Sequence, residues 1–272
     1  MCFLKKSKYF LILVAFLTGF NCFGQSECKS WNSVQLDLSL TKKLDLRFSH
    51  LRGYNINNGF SSEFNQSSIR LDYDFTKRFS IATGAVLGSL SAADGADRLV
   101  LRGTYKISLA DVLSWSNSIQ GEAHSANETR YRYRLVYITR LATKRRLDFL
   151  RLSPFVSYSL FYNIGGNSIQ YYDKNDFPSV QQTPDGFHRG RLSFNLNSRI
   201  TKNLSLSLYY MMQREFNLFA SDYHKINIVD PGTGKIVRPF QDYNVIGTTL
   251  SFNFDLYKKK KKSIKKVKDF SH

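Results

Sequence analysis

Four arginines in one short stretch, Arg130, Arg132, Arg134 and Arg140, alternate with Tyr131, Tyr133, Leu135, Tyr137 and Leu141. In an extended chain successive side chains point to opposite faces, so this spacing sets the four guanidinium groups on one face and the aromatic and aliphatic groups on the other. The same phase on neighbouring segments adds Arg98, Arg102 and Lys106, then Arg191 and Arg199, with Glu122 and Asp255 among the acids available to them. A guanidinium is permanently charged and offers a planar fork of donors. Such a face therefore either pairs with carboxylates into a rigid filling or presents positive charge to anionic solutes.

Other chemistry is poorly represented. His50, His124, His188, His224 and His272 are scattered, with none at the helical i, i+4 spacing of a metal site and none beside a serine motif. No metal, cofactor or catalytic residue is expected, and the chain reads as a non-enzyme. The alternative, an enzyme acting on lipid or lipopolysaccharide, requires a serine–histidine or acid–histidine pair meeting at the rim of the fold.

The elements that must hold the arginines are strands. Leu192, Phe194, Leu196 and Ile200 alternate with Arg191, Ser193, Asn195, Asn197 and Arg199, and the pattern recurs at 204–213 and 246–256. Eleven such segments are expected, near 31–40, 44–53, 66–75, 79–90, 97–109, 113–124, 129–141, 151–163, 187–200, 204–217 and 242–257. Most are longer than the roughly 5 or 6 residues of a globular strand and match the roughly 9 to 11 needed to cross a bilayer. Their connections alternate between tight turns built on Thr41, Thr76 and Thr201 and long polar loops at 54–65, 91–96, 164–186 and 218–241. Short turns at one end and long loops at the other characterise an outer-membrane barrel. The fold class expected is all-β: an antiparallel transmembrane β-barrel of about 10–12 strands, arginine face inward and aromatic face toward lipid. Eleven is an odd number. Either a further strand lies in 25–30, giving twelve, or the segment around Trp31 sits inside the lumen of a ten-stranded wall.

The N-terminus supplies the route. Lys5, Lys6 and Lys8 precede an apolar run at 9–20, too short to span as a helix and followed by small residues, which describes a signal peptide cleaved before Gln25. Cleavage leaves Cys28 as the one cysteine, so no internal disulfide is expected. The net charge of +18 divides unevenly: the signal holds three positive charges and the tail at 258–272 carries eight lysines against Asp269, leaving eight for 25–257. An exported chain without recognition helix or zinc spacing is not read as a nucleic-acid binder. The domain reading is 1–24 signal, 25–257 barrel, 258–272 lysine-rich tail.

Taken in order, several pieces resemble an uncharacterised outer-membrane barrel family known only as a domain of unknown function. They are Trp31, the Thr-Lys-x turns, Glu128-Thr-Arg130-Tyr-Arg132-Tyr-Arg134-Leu, and Pro154-Phe155 with Leu160-Phe161-Tyr162-Asn163. Arg189-Gly-Arg191-Leu and Tyr209-Tyr210-Met-Met-Gln213-Arg-Glu215 complete the set. The resemblance implies fold and location and carries no activity. The function expected is a structural or solute-passage role with an arginine-rich lumen. A surface platform built on the long loops, with Tyr171, Tyr172, Phe177 and Tyr223 as contacts, is a further alternative. Partners expected are outer-membrane lipid, small anionic solutes and the barrel-assembly machinery, which would read Leu250, Phe252, Phe254 and Leu256 by strand pairing. Replacing Phe252 and Phe254 by Asp is expected to block insertion; normal levels of the double variant in washed outer membranes would remove that assignment.

Overall fold

The computed structural model of the chain describes residues 27–57, 59–90, 97–109, 111–126 and 128–257. The expected signal peptide and the lysine-rich tail lie outside these residues. Thirteen strands follow one another: β1 (Glu27–Ser39), β2 (Leu44–Asn55), β3 (Ser61–Asp74), β4 (Phe79–Leu90), β5 (Arg98–Ser108), β6 (Leu113–His124), β7 (Tyr133–Thr143), β8 (Leu152–Ile164), β9 (Ile169–Tyr172), β10 (Pro178–Gln182), β11 (Gly186–Arg199), β12 (Leu204–Leu218) and β13 (Tyr243–Asp255). Eleven of them close into a barrel, while β9 and β10 form a separate hairpin within the connection from β8 to β11. The expected strands are present, but β1 starts at Glu27 rather than near 31, β3 at Ser61 rather than 66, and β7 only at Tyr133 rather than 129. The β9–β10 hairpin falls in what read as plain loop.

Neither reading of the odd strand count holds. There is no twelfth wall strand among the described residues, and the Trp31 segment is part of the wall. Because an odd number of up-and-down strands leaves the first and last running the same way, β1 and β13 join in parallel, from Glu27 opposite Tyr243 to Ser39 opposite Asp255. All other neighbours in the wall are antiparallel. Closure gives each strand a partner on both sides, which satisfies backbone groups that lipid cannot hydrate.

The three threonine turns share one mechanism. The Thr41 hydroxyl accepts the backbone N–H groups of Lys43 (3.1 Å) and Leu44 (3.0 Å). Thr76 does the same for Arg78 and Phe79, and Thr201 for Asn203 and Leu204. Each threonine also donates its own N–H to the carbonyl three residues on. A side-chain oxygen of this kind holds a tight reversal without glycine.

The period-two pattern now has sides. Leu87, Leu99, Leu101 and Ile119 point outward and are 60–66% exposed, in company with Phe48, Ile69, Tyr137 and Phe252. Their partners in alternation, among them Gln120, Glu122, Arg134, Arg189 and Gln213, are buried in the lumen. A soluble barrel would carry the reverse arrangement. An apolar belt of this extent around a polar interior suits lipid rather than water. Inside, a small apolar patch of Met211, Tyr243 and Val245, with Trp31 and Tyr209 packed on it, lines the parallel seam. Gly247 on β13 makes room there, since a Cβ would collide with the Tyr209 ring.

Ser33 and Thr249 face each other across the seam, and neighbouring strands lie about 4.8 Å apart, within disulfide reach. In a Cys28→Ser background, Ser33→Cys with Thr249→Cys is expected to cross-link during export and run faster on non-reducing gels. Absence of the cross-link in folded protein would deny the parallel closure.

Candidate functional site

The lumen is organised by register. Arg134 on β7 lies opposite Glu122 on β6, and Glu122 lies opposite Val100 on β5, between Arg98 and Arg102 in that strand's inward row. Glu122 accepts Nε and Nη2 of Arg134 (2.8 and 2.5 Å) and Nε2–H of His124 (3.2 Å), with Arg98 Nε at 3.9 Å. The Gln120 amide joins the same carboxylate, and its carbonyl accepts Arg102 Nε at 2.7 Å. Arg134 Nη1 also donates to the Tyr131 hydroxyl at 2.7 Å. A carboxylate this enclosed is tolerated because its lone pairs are taken by charged donors.

A second network lies across the lumen. Arg189 on β11 donates to Glu215 on β12 at 2.6 Å, and Gln213 donates to the same oxygen at 2.8 Å. The Gln213 carbonyl accepts Arg191 Nε at 2.6 Å, and Arg191 Nη2 reaches the Tyr243 hydroxyl at 3.1 Å. Phe161 joins the two networks: the guanidinium groups of Arg134 and Arg191 each lie 5.0 Å from its ring centre, and Arg191 also lies over Trp31 at 5.6 Å. Such cation–π stacks fix the planes of the guanidinium groups without cancelling their charge. Together these side chains reach into the loop-side half of the barrel.

The turn-side half is different. There the wall carries Gln35, Ser157, Asn195, Ser207 and Ser251, which border an open space of about 350 Å³. Arg140 enters it with its guanidinium 3.6 Å from the Phe155 ring centre. Arg47 pairs with Asp37, and Arg70 with Asp72 at 2.9 Å. Arg102, Arg140 and Arg191 have no carboxylate partner among the described residues.

Of the residues expected to share this face, Arg98, Arg102, Arg134, Arg140, Arg191 and Glu122 are in the lumen. Arg130 and Arg132 are not on the strand, because β7 begins after them. Arg130 is buried among the loops, held by both oxygens of Glu128 at 3.0 Å and stacked 5.1 Å from the Phe240 ring centre; Arg132 is exposed. Lys106 is exposed near the turn end, Arg199 bends down to the carbonyls of Thr201 and Lys202, and Asp255 closes β13 opposite Ser39. Arg189, Gln120, Gln213 and Phe161 were missed. Arg189 is two residues from Arg191, so its phase was readable; the amides and the ring were not, since neutral residues mark no charge. Lys29, paired with Glu63 at 2.9 Å, lies on the opening residues of β1, which carry no apolar alternation to mark them as strand.

The histidines are less isolated than their spacing suggested. His188 is fully buried, its ring nitrogens facing the carbonyls of Phe216 and Asp185, and His124 faces Glu122. His50 Nδ1 lies 3.0 Å from the Ser67 hydroxyl on the outer face. That pair lacks a further group on the ring among the described residues, and the strand N–H groups beside it are spent in the ladder rather than free to hold an oxyanion. Of the loop aromatics, Tyr171 is buried and donates to Gln182, whereas Tyr172, Phe177 and Tyr223 are exposed. No metal-binding group of His, Cys, Asp or Glu occurs among the described residues. In the long loops, hydrogen bonds from Lys225 to Asp222 and from Thr233 to Asp230 hold those two carboxyls below the usual range.

Residues 28–223 match a family described as a protein of unknown function (DUF2490). No curated protein matches the chain. Among solved structures, the chain is similar to the NanC porin in a rhombohedral crystal form, with a TM-score of 0.47 at 9% identity, covering 83% of this chain and 98% of that one. It is also similar to the outer membrane protein OprD from Pseudomonas aeruginosa, with a TM-score of 0.30 at 18% identity, covering 70% of this chain and 50% of that one. Likenesses this distant carry no argument about the lumen.

Glu122→Gln removes the charge on which Arg134 and Arg98 converge and is expected to destabilise the barrel by about 3–5 kcal/mol, the range for one partner lost from a buried pair. Glu27→Gln, at the more exposed partner of Lys29, is expected to cost less than about 1 kcal/mol. Urea midpoints of the two variants in the same detergent check the contrast.

Proposed function

The chain belongs to the family described as protein of unknown function (DUF2490), and from that premise we propose that it is an outer-membrane barrel passing small anionic solutes through an arginine-lined lumen. One observation carries this reading: among the described residues, Arg102, Arg140 and Arg191 make no direct ion pair with a carboxylate inside a barrel whose outer face is apolar. Unpaired lumenal arginine is costly to maintain in a wall that serves only as a wall. It is useful where an anion must leave water and find replacement donors. The turn-side space admits solute, and the stacked arginines at the loop side set the narrowest section. Selection there is by charge and size, with no bond made or broken.

The wider setting belongs to the same proposal. The signal peptide is cleaved before Gln25, the assembly machinery reads the apolar row of β13, and the tight turns face the periplasm. The lysine-rich tail then meets the inner leaflet or a cell-wall polymer. A second reading, a filled barrel with a purely structural role, is favoured by the packing of Arg134, Phe161 and Arg191 across the loop-side half.

Planar-bilayer recording separates the two. Discrete steps with anion preference are expected, and Arg102→Gln combined with Arg140→Gln is expected to reduce that preference several-fold. Silent bilayers containing verified folded barrel would leave the structural reading, and cation preference would overturn the arginine assignment.

A further inference from the structure

Between the two arginine networks, at the loop end, the lumen retains a small enclosed space of about 60 Å³. That is well above the roughly 15 Å³ a single water needs on the same kind of measure. Trp31, Arg98, His124, Arg134, Arg189 and Arg191 line it. In this lining, Trp31 Nε1 and His124 Nδ1 are buried polar atoms without a hydrogen-bond partner among the described residues. The His124 side chain is only 3% exposed. Indole N–H is a donor and nothing else, so burying it unpaired costs on the order of 1–3 kcal/mol. Arg191 beside it meets only neutral partners, Gln213 and Tyr243. Glu128, the carboxylate in the lining, has both oxygens engaged by Arg130.

We propose that this space is a binding site for one small monovalent anion, a halide or the carboxylate of a small organic acid. The inference rests on the passage reading and deepens it, by naming where a permeating anion pauses and what receives it. Trp31 Nε1–H and Arg191 donate directly. His124 Nε2 faces Glu122 and carries a proton, so Nδ1 becomes a donor when the ring takes up a second proton from solvent along with the anion. The groups around that ring are Glu122 on its own strand, Arg98 on β5, Arg134 on β7 and Tyr131 in the following loop. The cation–π contact of Arg191 with Trp31 holds donor and charge side by side, which suits a single compact anion better than an extended one.

The chain has two tryptophans, and the other, Trp115, is bonded to Thr139. In the full-length Trp115→Phe chain, folded in detergent, Trp31 emission therefore reports the site alone. Iodide is expected to quench it saturably, and Arg191→Gln to weaken that binding about tenfold, the loss of one charged hydrogen bond. The Trp31→Phe chain, keeping Trp115, is expected to show only linear collisional quenching. Displacement of iodide by formate assigns the site to carboxylates, and lack of displacement assigns it to halides. Linear quenching of Trp31 in folded protein, as from a pocket holding only water, overturns the site. Should Arg191→Gln fail to fold, saturation in the Trp115→Phe chain decides alone. Saturable quenching with silent bilayers would keep the site and remove passage; conductance with linear quenching would do the reverse.

Discussion

Every backbone donor and acceptor in a lipid-facing wall has to find its partner in the wall itself, and here that requirement comes down to the seam between β1 and β13. Ten antiparallel pairings can be propagated from turns and loops that tie neighbours together. The eleventh joins strands separated by almost the whole chain, in the parallel sense, with no turn to set its register. What sets it is side-chain fit: Trp31 from one strand packs with Tyr243 and Val245 from the other, while the Tyr209 ring of β12 occupies the space left by Gly247. Without that pairing the sheet keeps two open edges, and neither the apolar belt nor the enclosed charges have an energetic reason to persist.

Enclosure in turn explains the composition of the lumen. A curved wall of eleven strands leaves a cross-section that long side chains can reach across, so arginines from β7 and β11 meet the same phenylalanine from β8. Their charge is managed unevenly. Arg134 and Arg189 end on carboxylates, Arg102 and Arg191 on glutamines, and Arg140 on a ring. The interior thus grades from a packed, largely compensated loop-side section to an open turn-side section lined by serine and asparagine. A gradient of this kind is compatible with a passage having a wide entry and one selective section, and with a plug.

Much of this was legible because it is local. Alternation along β6, β7 and β11 depends only on strand geometry, and the threonine turns carry their own hydrogen-bonding logic in three residues. Arg98, Arg102, Arg134, Arg140 and Arg191 follow that alternation in the strands, whereas Arg199 at the end of β11 turns to the carbonyls of Thr201 and Lys202. Failures came where locality ends. Arg130 and Arg132 continue the alternating pattern of β7 in sequence, yet the loop pulls them out, because Glu128 and Phe240 offer Arg130 a better enclosure than the wall does. Glu27 to Ser30 carry no apolar alternation, so the start of β1 was invisible without its partner β13. The roles of Gln120 and Gln213 arise only once strands distant in sequence are set side by side.

The odd number of wall strands reaches beyond hydrogen bonding. In an even barrel both ends of the wall emerge on one side; here β1 begins among the long loops and β13 ends among the tight turns. The molecule is therefore polar in the manner of a rivet. Whatever is joined ahead of β1 is held at one surface and whatever follows β13 at the other, so a single small barrel can physically couple two compartments that its strands keep apart.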